Sequence, residues 1–140
     1  MGYTFIDHTA DVAADLTGRT LDDLFTAAAH ALTDTMTDLS TVQPVVTQSV
    51  TLDAGALDDL LVDWLNELLY RFEVQNMLVS DASVRIRDAN GRWRLDGSIA
   101  GEPFDPVRHP SRVLVKSATY HGLKVTHERE TWKTRIVFDI

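Results

Sequence analysis

The stretch that does most to decide the fold runs from Ala56 to Val74 and reads ALDDLLVDWLNELLYRFEV. Its apolar residues recur at steps of three and four, the spacing that gathers side chains on one side of an α-helix. They are Leu57, Leu60, Leu61, Trp64, Leu65, Leu68, Leu69 and Phe72. The opposite side is polar and largely acidic. The pattern predicts an amphipathic helix, and the width of its apolar side indicates burial against a sheet and another helix together.

A second helix is predicted upstream, from about Leu21 to Met36, where apolar residues again recur three and four apart. Thr20 followed by Asp23 is a start signal for this helix, because a threonine side chain can accept a hydrogen bond from the backbone N–H three residues later.

The rest of the chain is predicted to be mostly β-strand. The strand candidates are Tyr3–Ile6, Asp11–Thr17, Val45–Leu52, Val79–Arg87, Arg92–Ile99, Val113–Tyr120, Leu123–Arg129 and Trp132–Phe138. Asn90-Gly91 marks a hairpin turn. Strands and helices mix early and hairpins follow, so we predict a single α+β domain over residues 1–140. In it, two helices pack on one face of a largely antiparallel sheet, in two layers.

Composition narrows the classes of function. The chain has 140 residues, no cysteine and a net charge of −8. It therefore has no disulfide or thiolate zinc site, and its acidity makes it a poor nucleic-acid binder by itself. The acidity indicates solubility alone, or else a basic protein partner or a cation site.

Since the sequence shows no signal peptide and no run of about 20 apolar residues, we expect a cytoplasmic protein without membrane association.

Candidate chemistry lies near the two chain ends. His8-Thr9-Ala10-Asp11 joins two predicted strands, and the sequence stops at Phe138-Asp139-Ile140 directly after another. Asp11, Asp139 and the α-carboxylate of Ile140 would form a set of hard oxygen ligands, suited to Ca²⁺, Mg²⁺ or Mn²⁺. His8 could add a ligand or orient Asp11. The alternatives are a local turn at one end and a terminus lying in solvent at the other.

The remaining polar candidates are less distinctive. Lys116 could bind an anion or pair with a carboxylate, although an ordinary sheet lysine has the same appearance. His121 lies close to it along the chain. Glu67 and Asp63 are one turn apart on the second predicted helix, which is typical of a solvated face. The sequence has no P-loop, dinucleotide fingerprint or Gly-x-Ser-x-Gly elbow.

Several segments together resemble the archease family, in family order and over essentially the whole chain. They are His8–Val12, Thr20–Phe25, Trp64–Tyr70, Phe104–His109, Val115–Leu123 and Val137–Ile140. The resemblance implies a small α+β protein that is not itself an enzyme. Archeases assist the RtcB-type RNA ligase in tRNA splicing and RNA repair, by promoting guanylylation of the ligase's active-site histidine and hence multiple turnover.

The resemblance also implies roles for particular residues. The metal site of the family matches Asp11, Asp139 and Ile140, and His8, Glu67, Lys116 and His121 would be supporting or partner-facing residues. The partner would be the ligase, bound transiently, with RNA and GTP reached only through it. Two other functions remain open from the sequence: a stand-alone metal-dependent phosphoester hydrolase, and a chaperone-like interaction module that needs no metal.

Overall fold

The computed structural model describes residues 1–6 and 11–140 of the chain, and the elements follow a mixed order of strands and helices. They are β1 (Gly2–Ile6), β2 (Asp11–Gly18), α1 (Leu21–Met36), a 3₁₀ turn (Leu39–Thr41), β3 (Val46–Ala54), α2 (Leu57–Gln75), β4 (Met77–Ala89), β5 (Arg92–Pro103), β6 (Ser117–Thr119), β7 (Thr126–Glu128) and β8 (Thr131–Asp139).

Both predicted helices are present and begin and end close to the predicted residues. Thr20 caps α1, because its Oγ1 accepts a hydrogen bond from the backbone N–H of Asp23 at 3.1 Å. Helix α2 ends at Gln75 and is capped by Asn76, whose left-handed backbone (φ 57°) is the conformation that terminates many helices. The Asn90-Gly91 turn is also confirmed, with both residues at positive φ between β4 and β5.

The described strands form two antiparallel sheets. Sheet A has the order β1-β2-β8-β6, with β7 also pairing with β8, and sheet B has the order β3-β5-β4. The predicted α+β class, with two helices and largely antiparallel strands, is confirmed. The structure divides the strands between two sheets where the sequence pattern suggested one.

Hydrogen bonds from helix side chains to strand backbone explain the division. Asp22 of α1 accepts from the backbone N–H of Ile86 at 2.8 Å, and Thr33 donates to the carbonyl of Val79 at 2.7 Å, so α1 covers the edge of β4. On the other side of sheet B, Arg71 of α2 donates to the carbonyl of Ser49 on β3 at 3.1 Å. Each edge of sheet B therefore meets a helix instead of another strand.

The two helices and the two sheets share one hydrophobic core. Trp64 of α2 is fully buried in it, and its indole N–H donates to the carbonyl of Phe25 on α1 at 2.9 Å. Phe25, Leu65, Leu95 and Phe138 belong to the same core and come from both helices and both sheets. The wide apolar side of α2 is thus buried as its pattern predicted. Among the described residues, no helix has the length and hydropathy needed to cross a membrane.

Two strands are much shorter than predicted. The predicted strand Val113–Tyr120 pairs as a strand only at Ser117–Thr119, because the backbone N–H of Val113, at its start, bonds to α1 instead. The last four carbonyls of α1, at 33–36, accept hydrogen bonds from the N–H groups of Thr37, Arg112 and Val113 and from the Arg112 guanidinium. Helix ends need such partners. Similarly, the predicted Leu123–Arg129 strand is reduced to Thr126–Glu128, since Val125 donates to Asp58 and Lys124 to Thr134.

Candidate metal centre

The pairing of β2 with β8 brings two of the predicted ligands directly opposite one another. In this antiparallel ladder Asp11 is the partner of Asp139, although 127 residues separate them in sequence. Side chains of directly opposed residues lie on the same face of a sheet, with Cβ atoms about 5 Å apart. Val12 and Phe138, the next pair, face the core. The two carboxylates therefore lie on the side of sheet A away from that core, at the last pair of the ladder.

Strand β6 extends this row on the other side of β8. Ser117 is the partner of Asp139, so a hydroxyl shares the face of the two carboxylates. The backbone N–H of Lys116 donates to the carbonyl of Asp139 at 2.8 Å. Continuing the register by one pair places Lys116 opposite Ile140. The structure thus gathers Asp11, Asp139, Lys116 and Ile140 at one end of sheet A.

The donor set at this end is suited to a hard cation. Two carboxylates opposed across a ladder repel each other, and a divalent ion between them would relieve the repulsion. Within residues 1–6 and 11–140, no three side chains of His, Cys, Asp or Glu converge as a metal cluster. A three-ligand site here would therefore need a group outside that set, and the α-carboxylate of Ile140, adjacent to Asp139, has the required chemistry.

Two supporting residues predicted from sequence, Glu67 and His121, are not part of this row. His8 lies outside the described residues. Glu67 accepts a hydrogen bond from Arg71 Nε at 2.8 Å. The Arg71 guanidinium also donates to Gln48 and Ser49 on β3, so Glu67 helps to hold the side chain that joins α2 to sheet B. His121 is exposed after β6, where its backbone N–H donates to the hydroxyl of Thr119 at 3.3 Å.

Two residues beside the site, Ser117 and Asn66, belong to segments that the family resemblance marked only as supporting or partner-facing, without a part in the metal site. Ser117 shares the row of Asp139, and Asn66 of α2 contacts the backbone of β6 through its side-chain amide. Both lie within segments that carry the resemblance, but no local pattern relates either residue to Asp139. The pairing of β6 with β8 places Ser117 beside Asp139, and the hydrogen bonds of Asn66 to Ala118 place Asn66 beside β6.

A second polar cluster is buried beside the loop after β5. Asp105 donates its backbone N–H to Nδ1 of His109 at 2.8 Å, so the other ring nitrogen carries the proton and donates to Glu102 at 3.1 Å. Burial would raise the pKa of Glu102, but hydrogen bonds from Gln43, His109 and Arg108 outweigh it and lower that pKa. Since these bonds pair the groups with one another, the cluster holds the loop in place.

Known proteins resemble this chain over almost its whole length. The model of the Archease protein family (MTH1598/TM1083) matches residues 3–140. The chain belongs to the archease family. It is 40% identical to the protein archease of Methanopyrus kandleri over 140 residues, which cover all of both chains.

Solved archease-family structures agree with the fold. The solution structure of Methanobacterium thermoautotrophicum protein 1598 is similar with a TM-score of 0.84 and 30% identity, over 99% of each chain. The crystal structure of a Thermotoga maritima archease, described as a possible chaperone, has a TM-score of 0.65 over 96% of this chain and 94% of that one. At 19% identity, the second likeness concerns the fold alone.

Proposed function

We propose that this archease is a metal-binding accessory protein that activates an RtcB-type RNA ligase by promoting its guanylylation and multiple turnover. The observation that carries the proposal is the cross-strand pair of Asp11 and Asp139, with Ile140 directly following. Membership of the archease family supports it independently. In this proposal the chain acts on the ligase and is not itself an enzyme.

The ligands in this proposal are the side chains of Asp11 and Asp139 and the α-carboxylate of Ile140. A divalent ion there, Ca²⁺, Mg²⁺ or Mn²⁺, would supply positive charge that neutralises the repelling carboxylates and orders the end of sheet A. Lys116, which the register of β6 continued by one pair places opposite Ile140, would add a cation at the same end. This end of the sheet would be the part presented to the ligase.

Net charge supports an encounter with a basic partner. An RNA ligase must bind RNA phosphates, and an acidic domain of charge −8 is attracted to such a surface over several ångströms. This attraction would speed association without itself positioning the metal centre. RNA and GTP would then be contacted through the ligase.

The test is guanylylation and multiple-turnover ligation by the cognate ligase, with this protein added as wild type, Asp11→Asn or Asp139→Asn. We expect each variant to lose at least about tenfold in activation, because loss of a ligand weakens metal binding at least as much as loss of a supporting contact. Asp15→Asn is the matched control, since Asp15 also lies on β2 and pairs with Arg135 on β8. Asp11 or Asp139 variants that activate as well as Asp15→Asn would contradict the metal site.

The role of the Ile140 carboxylate has a separate test. One glycine added after Ile140 moves the carboxylate away from Asp139 and should weaken metal binding, whereas a glycine added before Met1 should not. Equal metal affinity of the two extended proteins, measured by titration calorimetry, would exclude Ile140 as a ligand while leaving the two aspartates in place.

A chaperone-like interaction module is the second candidate. A groove of about 270 Å³ is lined largely by apolar side chains, among them Phe72, Phe104 and Leu114, and Leu114 is 73% exposed. Such a surface could bind an apolar segment without metal. Full activation of the ligase by protein stripped with a chelator would favour this candidate. Turnover of a simple phosphoester without the ligase would favour a hydrolase instead.

A further inference from the structure

The side chain of Asn66 pairs with strand β6 in the manner of a neighbouring strand. Its Oδ1 accepts from the backbone N–H of Ala118 at 2.9 Å, and its Nδ2 lies 3.5 Å from the carbonyl of the same residue. A carboxamide offers one acceptor and one donor side by side, as a peptide group does. Asn66 is half-buried on α2, so a helix side chain occupies the outer edge of the sheet.

Strand β6 has three residues, and its contacts connect Asn66 to the metal centre. Ala118 is the partner of Phe138, and Ser117 is the partner of Asp139. Thr119 Oγ1 donates to the carbonyl of Val137 at 3.1 Å, and the Lys116 N–H donates to that of Asp139. A strand this short has few ladder bonds, so its position depends on what fixes its other edge.

We propose that Asn66 is a positioning residue of the metal centre: by holding β6 against β8, it fixes the backbone of Asp139 and of the Ile140 that follows. The inference rests on the proposed metal-binding function. It assigns Asn66 a part in metal affinity although its side chain contacts β6 and not the ligands.

Geometry supports this route from α2 to the ligands. The Asp139 peptide is bonded to β6 on one side and paired with Asp11 on the other. If β6 shifted, the carbonyl of Asp139 would lose its Lys116 donor, and the two residues at the end of β8 would gain backbone freedom. Ligands that must be ordered upon binding give weaker affinity than ligands already held in place.

The test compares two kinds of α2 variant in the full chain. Asn66→Ala removes both contacts with β6, whereas Arg71→Gln weakens contacts of α2 with β3, on sheet B. Binding of Mn²⁺ is measured by titration calorimetry, and the free energy of unfolding by urea, for both variants and the wild type. We expect Asn66→Ala to lose about tenfold in Mn²⁺ affinity, the lower end of what supporting contacts contribute to metal sites. Arg71→Gln should lose stability but keep wild-type affinity.

A conservative variant separates positioning from general destabilisation. Asn66→Asp keeps an acceptor for the Ala118 N–H, the shorter of the two contacts, and should retain most of the affinity that Asn66→Ala loses. Asp63→Asn, one turn earlier on α2, measures the effect of a one-unit change in charge. If Asn66→Ala fails to fold, Asn66→Ser, which shortens the side chain but stays polar, carries the same comparison.

The outcomes distinguish this inference from the proposed function. Absence of Mn²⁺ binding by the wild type, with Ca²⁺ and Mg²⁺ also failing, would overturn the metal centre itself. Wild-type binding together with unchanged affinity in Asn66→Ala would overturn the positioning role alone. An affinity loss in Arg71→Gln equal to that in Asn66→Ala would also overturn it, because the effect would then follow stability and not the contact with β6.

Discussion

Tyr120 illustrates how single side chains of α2 hold the segment that follows β6. Its hydroxyl donates to Asp59 at 2.7 Å, and two residues of the same helix, Asp58 and Asn66, accept from the backbone N–H groups of Val125 and Ala118. The acidic side of α2, which the sequence pattern assigned to solvent, thus bonds residues 118–125 at three places.

The Tyr120–Asp59 hydrogen bond predicts a pH dependence. The bond to Asp59, then burial, raises the pKa of Tyr120 from 10.0 to about 12. Because the folded state holds this proton more tightly than the unfolded state, the stabilisation is complete below pH 10 and is lost as the pH rises from about 10 to about 12. Asp59→Asn should lower the pKa of Tyr120 toward 10.0, and the variant should lose less stability over that interval.

Nuclear magnetic resonance titration of the tyrosine ring carbons would measure this pKa. Asp34→Asn is the control, because Asp34 accepts the hydroxyl of Tyr3 at 3.0 Å and should alter Tyr3 alone. A titration midpoint of Tyr120 that is the same in Asp59→Asn and in the wild type would show that the hydrogen bond does not determine the pKa.

Among the elements, β4 and β5 contain a feature that the sequence pattern did not indicate. Their register shifts between Val79 and Asp81, so Ser80 is an extra residue, and its hydroxyl donates to the carbonyl of Ala100 at 3.0 Å. Gly101 lies beside this bulge, where a Cβ atom would overlap the carbonyl oxygen of Leu78. The close approach of the two backbones requires glycine at this position.

Gly101→Ala is therefore expected to destabilise the protein by at least about 2 kcal/mol, within the usual range for overpacking a closely packed site. The free energy of unfolding in urea measures the change. Gly55→Ala is the matched control, since a Cβ at Gly55 would make only an ordinary contact of 3.7 Å with Arg92. That control should change stability by less than about 0.5 kcal/mol. Equal effects at the two glycines would refute the close approach at the bulge.

Some helices and strands were predictable from local sequence, whereas others depended on distant partners. Helix α1 was predicted at its observed bounds because its apolar spacing and the Thr20 cap are both local signals. The strand predicted over Val113–Tyr120 was wrong over most of its length, since only Ser117–Thr119 pair as a strand. Its alternating residues suit a strand, but Arg112 and Val113 bond the end of α1, a partner 76 or more residues earlier in the chain.

At the scale of the whole molecule, the stability of the folded state depends on the net charge and on whether an ion binds near the chain ends. The charge of −8 disfavours the compact folded state through self-repulsion, and Asp11 and Asp139 place two of the acidic side chains opposite one another. A monovalent salt screens this repulsion generally. A divalent ion bound at the metal centre would in addition stabilise the folded state specifically.

We accordingly expect CaCl₂ or MnCl₂ to raise the melting temperature more than NaCl at the same ionic strength. With free ion at about 100 times the Kd, the added stabilisation is about 2.7 kcal/mol. In Asp139→Asn the advantage of the divalent salts should disappear, because a ligand of the proposed metal centre is gone. Equal effects of NaCl and the divalent salts on the wild type, measured by calorimetry, would argue against a specific site.

The sequence by itself determined the two helices, most of the strands, the α+β class and the family. These follow from apolar periodicity, a helix cap, a hairpin turn and motifs in order, each encoded within a few neighbouring residues. It also identified Asp11, Asp139 and Ile140 as candidate ligands. Tertiary structure decided how the strands divide into two sheets, that Asp11 opposes Asp139, and that Asn66 and Ser117 lie beside them. Such facts depend on strand register between distant segments, which hydrogen bonding sets only when the chain has folded.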